Sequence, residues 1–126
     1  SLEIVVRGIP EFTVYGRGLG VFIASTPVVH IRWYVDERLN NFRYQISGCL
    51  MSLQTQGVIS NYCKDLNWVA KTTLGYEDTC YEKLSEIVNS VKDIDFERSM
   101  EVDSLSLYEY SKIAGEKRLV TLDLKS

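Results

Sequence analysis

The sequence predicts an α+β fold in which two helices pack against one mostly antiparallel sheet. Three observations lead to this fold class. Short stretches rich in β-branched and aromatic residues recur along the chain, two longer stretches repeat apolar residues at helical spacing, and turn-forming residues separate them. Taken in order, these segments predict the succession β-β-β-α-β-α-β-β within a single domain covering residues 1–126.

The composition is that of an ordinary folded domain. The chain has 126 residues, of which 45% are hydrophobic, and a net charge of −3, which argues against a broad nucleic-acid surface but allows a small basic pocket. No apolar run approaches the roughly 20 residues that span a bilayer, so no membrane association is expected. Three cysteines without metal-like spacing predict reduced thiols, a cytoplasmic location, and neither a metal nor a cofactor.

The first part of the chain contains several apolar segments. Residues 2–9 fit either a strand or the end of a helix, and because the chain opens on them without a Met, we expect an N-terminally incomplete domain. Alternation predicts a strand over 11–15, and three glycines within 16–20 predict a loop that leads to a short strand over 21–25. The strongest strand prediction is 28–35, VVHIRWYV.

The clearest element is a helix over 37–56. Asp36 is a good N-cap, and Gly57 is placed to end the helix. One face of this helix repeats apolar side chains at helical spacing, which predicts that it packs against the sheet. The residues on this face are Leu39, Phe42, Ile46, Cys49, Leu50 and Leu53.

The next two predicted elements are a strand and a second helix. The strand over 66–74 is predicted to be short and buried. An amphipathic helix is predicted over 79–92, with Glu77 and Asp78 at its N-terminus, where acidic side chains favour helix formation.

The C-terminal segment predicts a hairpin. Residues 93–99 form a polar connection, and 102–110 alternate strictly between two faces. A turn at 114–117 then allows 118–124 to pair back as the last strand.

Two features that could carry chemistry are interpreted as structural. The glycine segment 16–20 lacks the Lys-Ser/Thr ending of a phosphate loop and precedes a strand, which favours a tight connection. His30 lies on the strand face of Val28, Arg32 and Tyr34 and has no acidic or cysteine partner nearby in the sequence.

Lys71 stands in the middle of a predicted strand, beside two threonines and without a local acid. It fits an edge-strand residue that discourages aggregation. It also fits a binding role, since Lys71 and Thr73 project from the same face of a strand, where an ammonium and a hydroxyl can hold a phosphate. Both alternatives remain open on the residues alone.

The segment 68–74, WVAKTTL, resembles the second His-x-Thr-Leu motif of the two-histidine (2H) phosphoesterase superfamily, with Lys71 in place of the histidine and Thr73 matching the threonine. The segments FTV at 12–14 and GLGVF at 18–22 resemble a strand and glycine turn of its 2′-5′ RNA ligase-like branch. Residues 102–109 resemble a strand near that family's C-terminus. The ordered resemblance covers nearly the whole chain.

The resemblance implies the C-terminal lobe of a bilobal phosphoesterase-like fold with a degenerate site. The family's other His-x-Thr lies upstream of the segment that matches here, and an ammonium exchanges protons at neutral pH less readily than an imidazole. Lys71 and Thr73 are the candidates for the remnant catalytic pair. The candidates for substrate binding are Lys71, Thr73, Tyr76 and Tyr108.

Three functions are compatible with these features. The first is a degenerate 2H phosphoesterase-like domain that binds RNA or nucleotide phosphate with little or no catalysis. The second is an active RNA or cyclic-nucleotide phosphodiesterase completed by further N-terminal sequence or a partner subunit. The third is a protein-interaction module on the same scaffold. An incomplete lobe would also leave a sheet edge exposed, which predicts a homodimer.

Overall fold

The computed structural model describes residues 1–58, 68–75 and 78–126. Within them, the predicted α+β class is confirmed, with three helices instead of two, one four-stranded sheet and one two-stranded sheet. The elements are α1 Leu2–Gly8, β1 Phe12–Phe22, β2 Val28–Trp33, α2 Glu37–Thr55, β3 Lys71–Gly75, a 3-10 turn Tyr81–Lys83, α3 Leu84–Val91, β4 Ser99–Val102, β5 Ser104–Ser111 and β6 Gly115–Asp123.

The chain divides into two compact units. Unit 1 comprises Ser1–Thr13, Asp36–Leu66 and Glu101–Ser126, and unit 2 comprises Val14–Val35 and Asn67–Met100. Unit 1 therefore contains α1, α2 and the β5–β6 hairpin. Unit 2 contains β2, β3, α3 and most of β1.

Helix α1 resolves the alternatives left open for residues 2–9, which are helical. The helix begins at Leu2, because the Ser1 side chain accepts a hydrogen bond from the backbone N–H of Ile4 at 3.4 Å. Its Val6 is fully buried, and α1 contacts α2 within unit 1.

Helix α2 is confirmed as the best-predicted element of the chain. The Asp36 carboxylate accepts a hydrogen bond from the Leu39 N–H at 2.9 Å, and Gly57, with a φ of 76°, follows the last turn. Leu39 is buried, and the other side chains of the predicted apolar face are partly buried. The Phe42 ring lies 5.3 Å from the Phe12 ring, centroid to centroid.

The β5–β6 hairpin differs from the prediction at its turn. Ser111 pairs with Gly115, so the turn lies at 112–114 instead of 114–117, and β6 begins earlier than expected. The strand predicted over 102–110 is divided at Asp103 between β4 and β5, and β4 itself is an additional strand that the sequence did not predict.

Strand β1 corrects the interpretation of the glycine segment. The loop predicted over 16–20 and the separate strand over 21–25 are wrong, since β1 runs continuously to Phe22 with an irregular register between Gly16 and Leu19. The physical reason is close approach: a Cβ on Gly16 would lie 2.0 Å from the Phe96 carbonyl oxygen. Gly16 thus makes room for neighbouring backbone within a strand, whereas Gly18 supplies a φ of 80° at the irregular part of the register.

The four-stranded sheet has the order β3-β2-β1-β4, and β2 is antiparallel to both of its neighbours. The prediction of a buried strand over 66–74 is wrong, because β3 is at the end of this order and Lys71 to Leu74 are exposed. Ala70, just before β3, is buried. Residues 66 and 67 lie outside the described part of the chain.

The helix predicted over 79–92 starts later than expected. A 3-10 turn begins at Tyr81 and α3 at Leu84, and the N-cap position of the turn is Cys80, without a side-chain cap bond. Asp78 lies in a turn ahead of it, and Glu77 lies outside the described residues.

Replacing Gly16 by alanine should destabilise the protein, because the added methyl group would collide with the Phe96 carbonyl oxygen. We expect a loss of about 1–3 kcal/mol in the free energy of unfolding, measured by urea denaturation. Gly48→Ala is the matched control: its added methyl group meets nothing within 4 Å on helix α2, so stability should rise by about 1 kcal/mol. Equal effects of both substitutions would contradict the close-approach argument.

Replacing Asp36 by alanine should remove the side-chain cap of α2. The expected loss is about 1 kcal/mol in the free energy of unfolding. Asp36→Asn, which keeps an oxygen acceptor, should restore most of the stability, and an equally unstable Asn variant would argue against the cap.

Candidate functional site

Two neighbouring strands of unit 2 bring four polar side chains to one face of the sheet. In the antiparallel pair β2–β3, Arg32 lies opposite Lys71, and His30 lies opposite Thr73. Side chains of directly opposite residues project from the same face, with Cβ atoms about 4.5–5.5 Å apart. These four residues, His30, Arg32, Lys71 and Thr73, are termed the basic face.

Lys71 and Thr73 are in direct contact. The Lys71 ammonium donates a hydrogen bond to Thr73 Oγ1 at 2.9 Å, and both side chains are exposed. Since the Thr73 oxygen accepts this bond, its own proton is left to donate, and the ammonium keeps two further N–H donors. The pair thus presents several donors to a ligand approaching the sheet.

Gly20 of β1 lies opposite His30, and its lack of a side chain leaves room for the neighbouring side chains of the basic face. A Cβ at this position would lie 2.5 Å from His30 Nε2 and 2.9 Å from Arg32 Cδ. Both side chains therefore lie over the β1 backbone at Gly20, in space that a larger residue would occupy. The Arg32 side chain lies towards β1, and the Lys71 side chain runs along β3 to Thr73.

The strands that carry and adjoin the basic face, β1 to β3, contain no acidic residue, and the glutamate of this sheet, Glu101, lies on β4. Residues 14–35 and 68–75 contain two arginines and one lysine but no aspartate or glutamate. The ion pairs found among the described residues join Arg7 to Glu3 and Arg98 to Asp95, and neither involves Arg32 or Lys71. Like charges directly opposite each other destabilise a strand pair. The place of β3 at the end of the strand order fits the edge-strand interpretation of Lys71, and an anionic ligand would also account for the arrangement.

His30 is the buried member of the basic face. Its side chain is 2% exposed, and its ring stacks on Phe22 with 4.2 Å between the centroids. His30 Nδ1 lies 3.0 Å from the Val28 carbonyl oxygen, and because a carbonyl only accepts, Nδ1 is the donor. These contacts favour the structural interpretation made from the sequence.

The opposite face of the same strands has a structural bond of its own. Trp33 Nε1 donates a hydrogen bond to Thr72 Oγ1 at 2.8 Å, so the side chains of Thr72 and Thr73 project from opposite faces of β3.

A cation–π contact lies just beyond the end of β2. The Arg17 guanidinium lies 4.6 Å from the centre of the Tyr34 ring.

The remaining predicted site residues lie either in the other unit or outside the described part of the chain. Tyr108 lies on β5 in unit 1, about half exposed and opposite Arg118, whereas Lys71 and Thr73 belong to unit 2. Tyr76 lies outside the described residues. The sequence did not predict Arg32 as a site residue. Alternation along the strand places Arg32 on the same face as His30, but it does not show that β3 pairs beside this strand.

Within the described residues, no group of three His, Cys, Asp or Glu side chains is placed to hold a metal. Cys49 and Cys80 are free thiols, and Cys63 lies outside the described part of the chain. None of the helices described here is both long and apolar enough to cross a membrane.

Comparison with known proteins gives no match, either to a protein-family model or to a curated protein sequence. The resemblance to the 2H phosphoesterase superfamily thus rests on the sequence motifs and remains a prediction.

Substitutions at His30 and Lys71 should differ in their effect on the free energy of unfolding, because His30 is buried and Lys71 is exposed. His30→Ala should lower the free energy of unfolding by about 2 kcal/mol, because it leaves a cavity beside Phe22 and removes the side-chain hydrogen bond to the Val28 carbonyl. Lys71→Ala should change it by less than about 0.5 kcal/mol, since the side chain is exposed. Chemical denaturation measures both, and a stable His30→Ala variant would contradict the structural role.

Proposed function

We propose that this protein binds the phosphate of a nucleotide or RNA, as a degenerate 2H phosphoesterase-like domain with little or no catalysis. The observation that carries the proposal is the pairing of Arg32 directly opposite Lys71, beside a Lys71–Thr73 contact of 2.9 Å. This places a guanidinium, an ammonium and a hydroxyl on one exposed surface, the donor types that bind phosphate oxygens.

The uncompensated charge supports an anionic ligand. Neither Arg32 nor Lys71 forms an ion pair within the described residues, although an acidic neighbour would relieve their repulsion. A bound phosphate supplies negative charge at the point where the strands lack it. The bound ligand is therefore expected to stabilise the pairing of β2 with β3, because it offsets the repulsion between Arg32 and Lys71.

The same groups explain why little catalysis is expected. General acid–base catalysis needs a positioned group that exchanges protons near neutral pH, and it contributes typically 10²–10⁴-fold in rate. The exposed groups of the basic face are a guanidinium, an ammonium and a hydroxyl. The imidazole of His30 is buried, and its Nδ1 is committed to a backbone carbonyl.

Inorganic phosphate should raise the melting temperature of the protein through the basic face. Lys71→Ala and Arg32→Ala should each weaken phosphate binding about tenfold, the effect of losing one charge-assisted hydrogen bond of about 1.4 kcal/mol. Lys92→Ala, which removes an exposed lysine just after α3, is the matched control and should leave binding unchanged. Thermal-shift titration at constant ionic strength measures all four proteins.

A charge reversal excludes loss of folding as the cause. Lys71→Glu places an acid opposite Arg32, so the unliganded protein should become more stable by a few tenths of a kcal/mol while phosphate stabilisation disappears. Retained phosphate stabilisation in Lys71→Glu would contradict the proposed site. A parallel assay with 2′,3′-cyclic nucleotides should yield no product; turnover would instead support the active phosphodiesterase. Stabilisation by a protein partner that is unaffected by Lys71→Glu would support the interaction module.

A further inference from the structure

We infer that the basic face selects a phosphomonoester, a terminal phosphate with two negative charges, over a phosphodiester of the same nucleotide. The inference rests on the proposed phosphate-binding function and adds the chemical class of the phosphate. A monoester carries about −1.5 to −2 charges at neutral pH on three free oxygens. An internal phosphodiester has one charge and two free oxygens.

The number and type of donors match the monoester. Arg32 and Lys71 supply two full positive charges, and no acid lies in the strand segments around them. The second charge of a dianion is therefore compensated by a second cation. A monoanionic diester would leave one of the two cations uncompensated on the strand pair.

The arrangement also matches three oxygens. The Arg32 guanidinium belongs to β2 and leans towards β1, while the Lys71 ammonium and the Thr73 hydroxyl project from β3. Donors of three kinds thus project from one exposed face of two neighbouring strands. A terminal phosphate offers each of them a free oxygen, and a chain that continues beyond the phosphate occupies one of these positions.

The test compares adenosine 5′-monophosphate with its 5′-methyl phosphodiester, which keeps the base and the ribose and removes one charge and one free oxygen. Isothermal titration calorimetry of the full chain at pH 7.5 and constant ionic strength measures both dissociation constants. We expect the monoester to bind about tenfold more tightly. In Arg32→Ala and Lys71→Ala this ratio should fall to about threefold or less, and in Lys92→Ala it should stay at the wild-type value.

Each outcome separates the inference from the function on which it rests. Equal affinity of the two ligands for the wild-type protein would overturn the selectivity and leave phosphate binding intact. Binding of neither ligand to a protein that is folded by circular dichroism would overturn both. A tenfold ratio that persists in the Arg32→Ala and Lys71→Ala variants would also overturn the inference, because selectivity would then arise elsewhere.

Discussion

The antiparallel pairing of β2 with β3 is the constraint on which the candidate site depends. Arg32 and Lys71 are 39 positions apart in the sequence, and only the register of this ladder places them opposite each other. A shift by one residue would send every side chain of β3 to the other face. Lys71 would then lie on the face of Trp33, and the hydrogen bond from the Trp33 indole to the Thr72 hydroxyl would be lost.

Several local features fix that register. Trp33 donates through its backbone N–H to the carbonyl of Ala70, just before β3, and through its indole to Thr72 within β3. On the other side of β2, Gly20 lets His30 and Arg32 lie close to the β1 backbone. The charged surface is thus supported by an aromatic anchor on one face and by a glycine contact on the other.

The sequence predicts those elements whose determinants are local. Helix α2 follows from the Asp36 cap and the repeat of apolar residues, both of which lie within the helix or next to it. The course of β1 through Gly16 could not be predicted in this way, because the glycine is required by the Phe96 carbonyl, far along the chain. The sequence could place Lys71 and Thr73 on one face, because side chains two positions apart on a strand project from the same side.

The limits of prediction for the site have the same origin. Arg32 and His30 become neighbours of Lys71 and Thr73 only through cross-strand pairing, which no local pattern encodes. The exposure of β3 is likewise set by its place at the end of the sheet order and not by its apolar neighbours. Tyr108 resembled a family position by sequence, and the structure assigns it to a different unit.

The position of β3 at the sheet edge also has a consequence for local dynamics. Within the described part of the chain, β3 is a strand of five residues that pairs on one side. Such a strand is among the first parts of a sheet to open, and its amide protons exchange through this local opening. Under the proposed function, an anion held by Arg32 and Lys71 would join β3 to β2 across their shared ladder. Such a bound phosphate would therefore slow hydrogen exchange along β3 by linking this edge strand to its neighbour.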